Sequence, residues 1–514
     1  MVFSPPTASS DASPKALFNF RQGDPWLVGV DSEQFWSLCR DLLKTLQTDQ
    51  PRDILLVTAD PVEAIASVIA AFLVPTCLWL GNPTWGQQEW QQVVTQMQPD
   101  LIWGQFPEGI WRQDKEDLGA SRASNSQHRD QTQLLIPTGG SSGDLKFAIH
   151  TWDTLMAAVR GFQQHFQPEH PQSPNLSNPP IPPVGAQGFA PCDPDGLVVN
   201  AYCVLPMYHV SGLMQALRCW ASGGTLMLQS FRSLRQQPLD VSVQGAFLSL
   251  VPTQLQRLLE DGYGDWLRQF RAILLGGAAP WPGLLNQARQ QQLPLAPTYG
   301  MTETAAQVAT LLPHEFLAGQ NSSGRSLPHV TLTIQSLTGE PLSSNQVGLI
   351  TIQSPSLALG NCDASQRGAF QPGDLGSLDK AGYLTVLGRQ GTLINTGGEK
   401  VLPEEVEAAI RATGLVMDVV VVGLPDADWG NVVTAIVVPT PTYSLAVLRQ
   451  GLRDQLSPYK HPKYWLCREA LPRNGQGKLN RHQLQDWAQQ QLPHGGAATA
   501  VTGVAAGCDG DRGQ

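Results

Sequence analysis

The sequence predicts an α/β protein in two parts, a large N-terminal domain of layered β-sheets and helices and a small C-terminal α+β domain. Three observations carry this. A chain of 514 residues exceeds what one hydrophobic core usually serves, and 42% apolar residues suffice to fill two. Short apolar, β-branched runs such as LVVNAYCVL (197 to 205), FLSLV (247 to 251) and RAILLGG (271 to 277) alternate with helical stretches such as Trp281 to Gln292. After GYLTVLGRQG the pattern changes to helix (403–412), strand (417–424), strand (432–438) and helix (443–456), which places a domain boundary near Arg389. Residues 1–388 then form the first domain and 389–491 the second.

From the N-terminus, MVFSPPTASSDASPK lacks the charged start, apolar run and small-residue cleavage site of a secretory signal and reads as a loose arm. The longest apolar stretch, Ala64 to Leu80, contains Pro75 and follows the strand-like ILLV at 54–57, so it reads as a buried helix and a strand rather than a membrane span. Residues 167–196 hold nine prolines and little periodicity, an exposed insertion with no core of its own. The tail 492–514 is rich in Gly and Ala and is expected to be disordered.

A formal net charge of -10 without a basic stripe excludes phosphate-backbone binding as the main task, so no nucleic-acid partner is expected. The eight cysteines show neither CxxC nor Cys/His metal spacing. They read as reduced, mostly buried thiols, which favours a cytoplasmic location.

Four segments carry chemistry. In LLIPTGGSSGDLKFAIH (134–150), Gly139, Gly140 and Gly143 let the backbone approach an anion, Thr138, Ser141 and Ser142 offer hydroxyls, and Lys146 adds positive charge. The Walker A spacing fails, because Phe147 stands where a magnesium-binding hydroxyl is needed. The run also fits G-x-S-x-G with Ser141 as nucleophile. A nucleophile elbow leads into a helix, however, whereas Leu145, Phe147 and Ile149 alternate with period two, as in a strand. An ordinary Gly/Ser hairpin loop stays open.

In PTYGMTET (297–304), Tyr299 can stack on a purine, Thr302 can donate to a phosphate oxygen, and Glu303 can hold Mg2+. A solvated acid at Glu303 is the plain alternative. In the run from Gly373 to Glu407, Asp374 can accept both hydroxyl protons of a ribose and Arg389 can reach the same sugar or a phosphate. The alternative is a turn salt bridge between Asp374 and a nearby base. Gly397 and Gly398 mark closely approached backbone, and Pro403-Glu404-Glu405 starts a helix. Finally, LPRNGQGKLNR (471–481) projects Lys478 from a Gly-rich turn before the last helix, although surface lysines mostly solvate a face.

These four stretches, in this order, resemble the adenylate-forming superfamily of acyl-CoA synthetases, luciferases and peptide-synthetase adenylation domains, over nearly the whole chain. TGGSSGDLK is similar to its phosphate loop, YGMTET, including Gly300, to its adenine and metal motif, GD at 373–374 to its ribose motif, NGQGK to its catalytic-lysine motif, and LPMYHVSGL (205–213) to its aromatic-His motif. The combination of PTGGSSG, LPMYHVSGLMQALRCW, YGMTETAAQVAT and TGGEKVLPEEVE most resembles the o-succinylbenzoate:CoA ligase branch of the cyanobacterial menaquinone and phylloquinone route. Two departures are visible: Gly139 replaces a hydroxyl residue in the phosphate loop, and Gly391 stands where many members carry a hinge Asp or Lys.

The resemblance implies a ligase that uses MgATP and CoA as co-substrates and forms an acyl adenylate and then a thioester. Lys478 would bridge the attacking carboxylate and the α-phosphate, Thr302 would touch that phosphate, and Thr138, Ser141, Ser142 and Lys146 would hold the β and γ phosphates, with Glu303 on Mg2+. His209, Ser211 and Gly212 would neighbour the acyl group, with His209 shaping the CoA path. The mobile small domain would rotate near Arg389 to Gly391, and Gly397, Gly398, Glu399, Lys400 and Val401 would line a pantetheine tunnel. The small-molecule acid would be o-succinylbenzoate, whose second carboxylate needs a polar or cationic partner that the sequence does not identify. Rival readings are a ligase for another aryl or acyl acid, a peptide-synthetase-like adenylation module, against which the absence of a carrier domain after Lys478 counts, and a catalytically silent nucleotide-binding partner.

Overall fold

The computed structural model describes residues 13–106, 131–139, 145–167, 196–360, 368–397, 399–426, 429–453, 455–473 and 479–491. The Pro-rich stretch 167–196, apart from its two end residues, lies outside them, as do the tail 492–514 and most of the N-terminal arm.

Among the described residues the chain builds four sheets. One runs in the order Leu101–Gly104, Asp53–Val57, Cys77–Gly81, Gln133–Gly139, Leu145–His150, parallel except for the last pair, which is an antiparallel hairpin. A second runs Leu27–Val28, Leu226–Leu228, Ala201–Cys203, Phe247–Leu250, Ala272–Leu275, Leu295–Met301, Ala306–Thr310, Arg325–Ser326, parallel through Leu295–Met301 and antiparallel beyond.

Parallel strands need crossover helices and bury both faces, which is why they read as continuous apolar runs. Ile54 and Leu56 point into the main core while Leu55 and Val57 pack with Trp90 on the other face. The main core joins inward side chains of both sheets through the helices Pro61–Ala71, Trp152–Phe166 and Val210–Ser222. Every residue of Val210–Ser222 except Ser211 is buried, the signature of a helix packed on all sides.

The third sheet is antiparallel, in the order Thr331–Gln335, Gly348–Gln353, Asp374–Leu378, Leu384–Arg389. The fourth follows Arg389, with Val416–Asp426 and Gly430–Pro439 as its long central hairpin. Val419 and Val421 face the helices Pro403–Ala412 and Leu445–Arg453, and Val420 and Val422 face Arg481–Gln491. The two strands exceed the expected 417–424 and 432–438 because the ladder continues through polar ends as far as Asp426 and Gly430. The Ser444 hydroxyl accepts the Val447 N–H, so the next helix starts at Leu445 rather than 443.

Pro403–Ala412 packs on Leu384–Arg389 and on the helix Pro282–Gln290, and the Arg411 guanidinium carbon sits 5.7 Å from the Trp281 ring centre. A Cβ at Gly388 (φ 153°) would press on the Glu404 carboxylate, which pairs with Arg481 at 3.1 Å.

Cys39, Cys77, Cys203 and Cys219 are free thiols, and burial raises their pKa values, that of Cys77 to about 11. Cys467 departs from the expectation of reduced thiols: it is disulfide-bonded, to a partner outside the described residues, a pairing that spacing along the chain does not reveal. No described helix is long and apolar enough to cross a membrane.

Ile436 is fully buried in the small sheet, where few neighbours can collapse into a void. Ile436→Ala is expected to destabilise by about 3 kcal/mol. A lowered unfolding midpoint in urea, read on the full chain, checks this.

Candidate functional site

The hairpin Gln133–Gly139/Leu145–His150 ends against the 3-10 turn Thr302–Thr304, more than 150 residues away in sequence. Three contacts fix it there. The Thr138 hydroxyl donates to Glu303 Oε1 at 2.8 Å. His150 Nε2 lies 2.8 Å from the Thr302 carbonyl oxygen, which can only accept, so Nε2 carries the ring proton. Leu359 N–H donates to the Ile149 carbonyl while Ala358 N–H donates to that of Glu303, holding both pieces to one segment. His150 Nδ1 faces the Thr154 hydroxyl at 3.1 Å, and Thr151 and Thr154 form the capping box that opens the helix Trp152–Phe166.

Next to the turn, Tyr299 donates its hydroxyl to Asp374 Oδ2 at 2.7 Å, and Arg389 Nε donates to Asp374 Oδ1 at 2.8 Å. Burial, followed by the Asp374 charge, raises the Tyr299 phenol well above its ordinary value. The expected salt bridge of Asp374 is present, made with Arg389. Its carboxylate has about four lone-pair sites, two of them used here, so two remain for ligand hydroxyls. Tyr299 was expected to offer its ring face; what the structure shows is its hydroxyl bound to Asp374. A Cβ at Gly300 would overlap the Ala306 carbonyl oxygen, so the crossing of strands Leu295–Met301 and Ala306–Thr310 requires glycine there.

His209 is the N-cap residue of Val210–Ser222, buried edge-on against Tyr208 with ring centres 4.6 Å apart. Ser211 is exposed, and a Cβ at Gly212 would overlap the Pro206 carbonyl oxygen, which gives Gly212 a packing role. Lys146 is exposed on the hairpin. Glu399 and Lys400 lie exposed on the edge strand Glu399–Val401, and Gly397, at φ 57°, lies against Trp429. At Gly391 nothing crowds a Cβ, so this conformation makes no demand for glycine. Gly140, Ser141, Ser142, Gly143, Gly398 and Lys478 lie outside the described residues, and Gly139 closes the strand before them.

Sequence reasoning missed two residues. His150 is one; its signal was a polar residue on the buried side of an alternating strand. Arg218 is the other, an arginine inside the otherwise apolar helix Val210–Ser222. Its guanidinium donates to Gln307 Oε1 and lies 4.0 Å from the Phe162 ring centre, with no carboxylate paired to it among the described residues. Burial pulls its pKa down to about 9. A buried cation without a counter-ion is costly and marks a place for an anion.

No group of three or more His, Cys, Asp or Glu side chains suited to a metal ion occurs among the described residues. Glu303 with the adjacent Thr138 hydroxyl offers one carboxylate and one neutral oxygen. That set suits Mg2+ when phosphate oxygens and water complete the octahedron.

Residues 45–360 match the family described as AMP-binding enzyme, and residues 405–478 match the AMP-binding enzyme C-terminal domain. The chain is 34% identical over 292 residues to a 2-succinylbenzoate--CoA ligase of Listeria monocytogenes, covering 55% of this chain and 60% of the relative. It is 35% identical over 293 residues to that of a Geobacillus species, covering 55% and 59%. The match thus spans about 60% of the length of these relatives. Among solved structures, o-succinylbenzoate CoA synthetase from Bacillus subtilis with its acyl-adenylate intermediate superposes with TM-score 0.74 at 23% identity, covering 91% of this chain and 97% of the other. ATP-bound MatB from Rhodopseudomonas palustris superposes with TM-score 0.73 at 21% identity, covering 93% and 99%. At such identities these structures show a common fold.

His150 generates a prediction. Burial holds its pKa near 4, below the ordinary 6.5, so the unfolded chain takes up this proton first as pH falls. The stability it contributes is complete above pH 6.5 and is lost towards pH 4, in total about 3 kcal/mol. Urea unfolding at pH 7 and pH 5 should show a smaller loss in His150→Asn than in the parent chain.

Proposed function

Because the chain belongs to the AMP-binding enzyme family, we propose that it is an ATP-dependent o-succinylbenzoate:CoA ligase of menaquinone or phylloquinone biosynthesis. Its relatives of that name support the acid, and the joining of Glu303 to Thr138 beside the Tyr299–Asp374–Arg389 group supports the nucleotide.

On this reading the acid's carboxylate oxygen attacks the α-phosphorus of ATP, the bond to the bridging oxygen breaks, and pyrophosphate leaves. In the second step the CoA thiolate attacks the acyl carbon of the mixed anhydride and AMP leaves with the bonding pair. Bound at Glu303, Mg2+ would supply charge neutralisation to the phosphate oxygens. Thr138 orients the Glu303 carboxylate, and His150 holds the Thr302 carbonyl so that the Thr302 side chain meets the α-phosphate. Asp374 takes the ribose hydroxyls, with Arg389 fixing its plane. The glycines and hydroxyls of 139–143, with Lys146, wrap the outer phosphates. Lys478 neutralises charge on the pentavalent phosphorus, where one donor is worth about 3 kcal/mol.

Arg218 answers the need for a cation at the acid's second carboxylate, being buried, unpaired by any carboxylate, and on the helix that begins at His209. The junction at Arg389 to Gly391 divides residues 1–388 from the lid 389–491, and residues 397–401 with His209 border the thiol's path.

Two measurements test this. CoA-dependent AMP formation from ATP should be strong with o-succinylbenzoate and weak with benzoate, 4-coumarate, a medium-chain fatty acid or no acid. Turnover with another acid discards the pathway and keeps the ligase, and none with any acid leaves a silent nucleotide binder. Lys478→Ala should lower pyrophosphate release about a hundredfold or more with folding unchanged, and normal release would sink the assignment.

A further inference from the structure

Arg218 does not stand alone. The ring of His329, in the turn after Arg325–Ser326, is shut from solvent at both nitrogens, and neither has a hydrogen-bond partner. Buried polar atoms in folded chains are nearly always paired, so two orphans on one ring call for an account. The ring is seated on Gly161, where any Cβ would overlap Nδ1. The next residue along that helix is Phe162, on which the Arg218 guanidinium rests at 4.0 Å, and Arg218 Nε is a third buried polar atom without a partner. One turn of helix thus seats a guanidinium with an unpartnered Nε, bonded among the described residues only through its terminal nitrogen to Gln307, and an imidazole with both nitrogens unpartnered. Glycine within a helix costs stability and here serves to make room for the ring.

The cluster adjoins the reacting end of the site. Gln307, which accepts from Arg218, is the register partner of Gly300, two residues before Thr302.

We propose that His329, seated on Gly161, is a specificity-determining residue that donates a hydrogen bond to the substrate carboxylate held by Arg218. Burial, then the charges of Arg218 and Arg160, push the ring's pKa down to about 4, so at neutral pH it is uncharged, with one N–H donor and one lone pair. A neutral donor beside a single guanidinium matches a single carboxylate in charge, where a second cation would repel the first. The site then takes acids with a second carboxylate and excludes monoacids, because a neutral group at that point would leave Arg218 uncompensated.

This inference rests on the proposed diacid substrate, and the test separates the two. Pyrophosphate-release kinetics are measured with o-succinylbenzoate and with its two monocarboxylate analogues, for the parent chain and for His329→Phe, His329→Gln and Gly161→Ala, each checked by thermal unfolding. His329→Phe should raise KM for the diacid tenfold or more, with kcat and monoacid kinetics within threefold. His329→Gln, which keeps an N–H, should stay within threefold throughout, and Gly161→Ala should follow His329→Phe in direction. An unchanged diacid preference in His329→Phe overturns the inference, as does an equal loss for all acids with a lowered unfolding temperature, which would make the ring a packing element. A parent chain that does not prefer the diacid fails the substrate reading itself, and this inference falls with it.

Discussion

The docking of the hairpin 133–150 on the turn 302–304 is the contact on which the site depends. It joins the two mostly parallel sheets where the hydroxyl of Thr138 meets the carboxylate of Glu303. The His150 ring is wholly buried, and its Nε2–H meets the Thr302 carbonyl, which can only accept. Without that bond the Thr302 carbonyl would keep only the Ala305 N–H, and the hairpin and the turn would be joined by the Thr138–Glu303 pair and the segment at Ala358 and Leu359 alone. A buried, neutral histidine of this kind costs desolvation energy that the fold recovers through position. The same ring touches Thr154, so the start of the following helix is tied to the same point.

That helix, Trp152–Phe166, carries the other half of the argument. Its apolar side fills the core between the sheets, while Gly161 and Phe162 seat the two polar groups that the core would otherwise reject. Buried charge without a counter-ion is the arrangement that folding alone disfavours most strongly. At Arg218 that arrangement is eased, among the described residues, only by Gln307 and the Phe162 ring. The Tyr299–Asp374–Arg389 group differs in kind: it is satisfied in itself and still has acceptor sites to offer. One region thus has a buried charge left over, and the other has none.

The small sheet reaches the large part of the chain through the helix Pro403–Ala412. Arg411 on Trp281 and Glu404 beneath Gly388 make a contact that includes charged side chains. Interfaces of that composition separate and re-form more easily than apolar ones.

Much of the fold was legible in the sequence because its signals are local. The run 54–57, the alternation from Leu145 to Ile149 and the helix at 403–412 each follow from periodicity that a short window contains. The motifs at Thr138, Glu303 and Asp374 were legible for a related reason: their residue types suit phosphate, metal and ribose wherever the chain puts them. What the sequence left hidden was pairing at a distance. Nothing near His150 announces Thr302, nothing near Arg218 announces Phe162 and Gln307, and nothing near Gly161 announces His329. Composition and spacing determined the elements and the chemistry available to them. Which buried polar atoms found partners, and which did not, was decided only by tertiary packing, because burial and its cost exist only once distant segments have closed over the side chain.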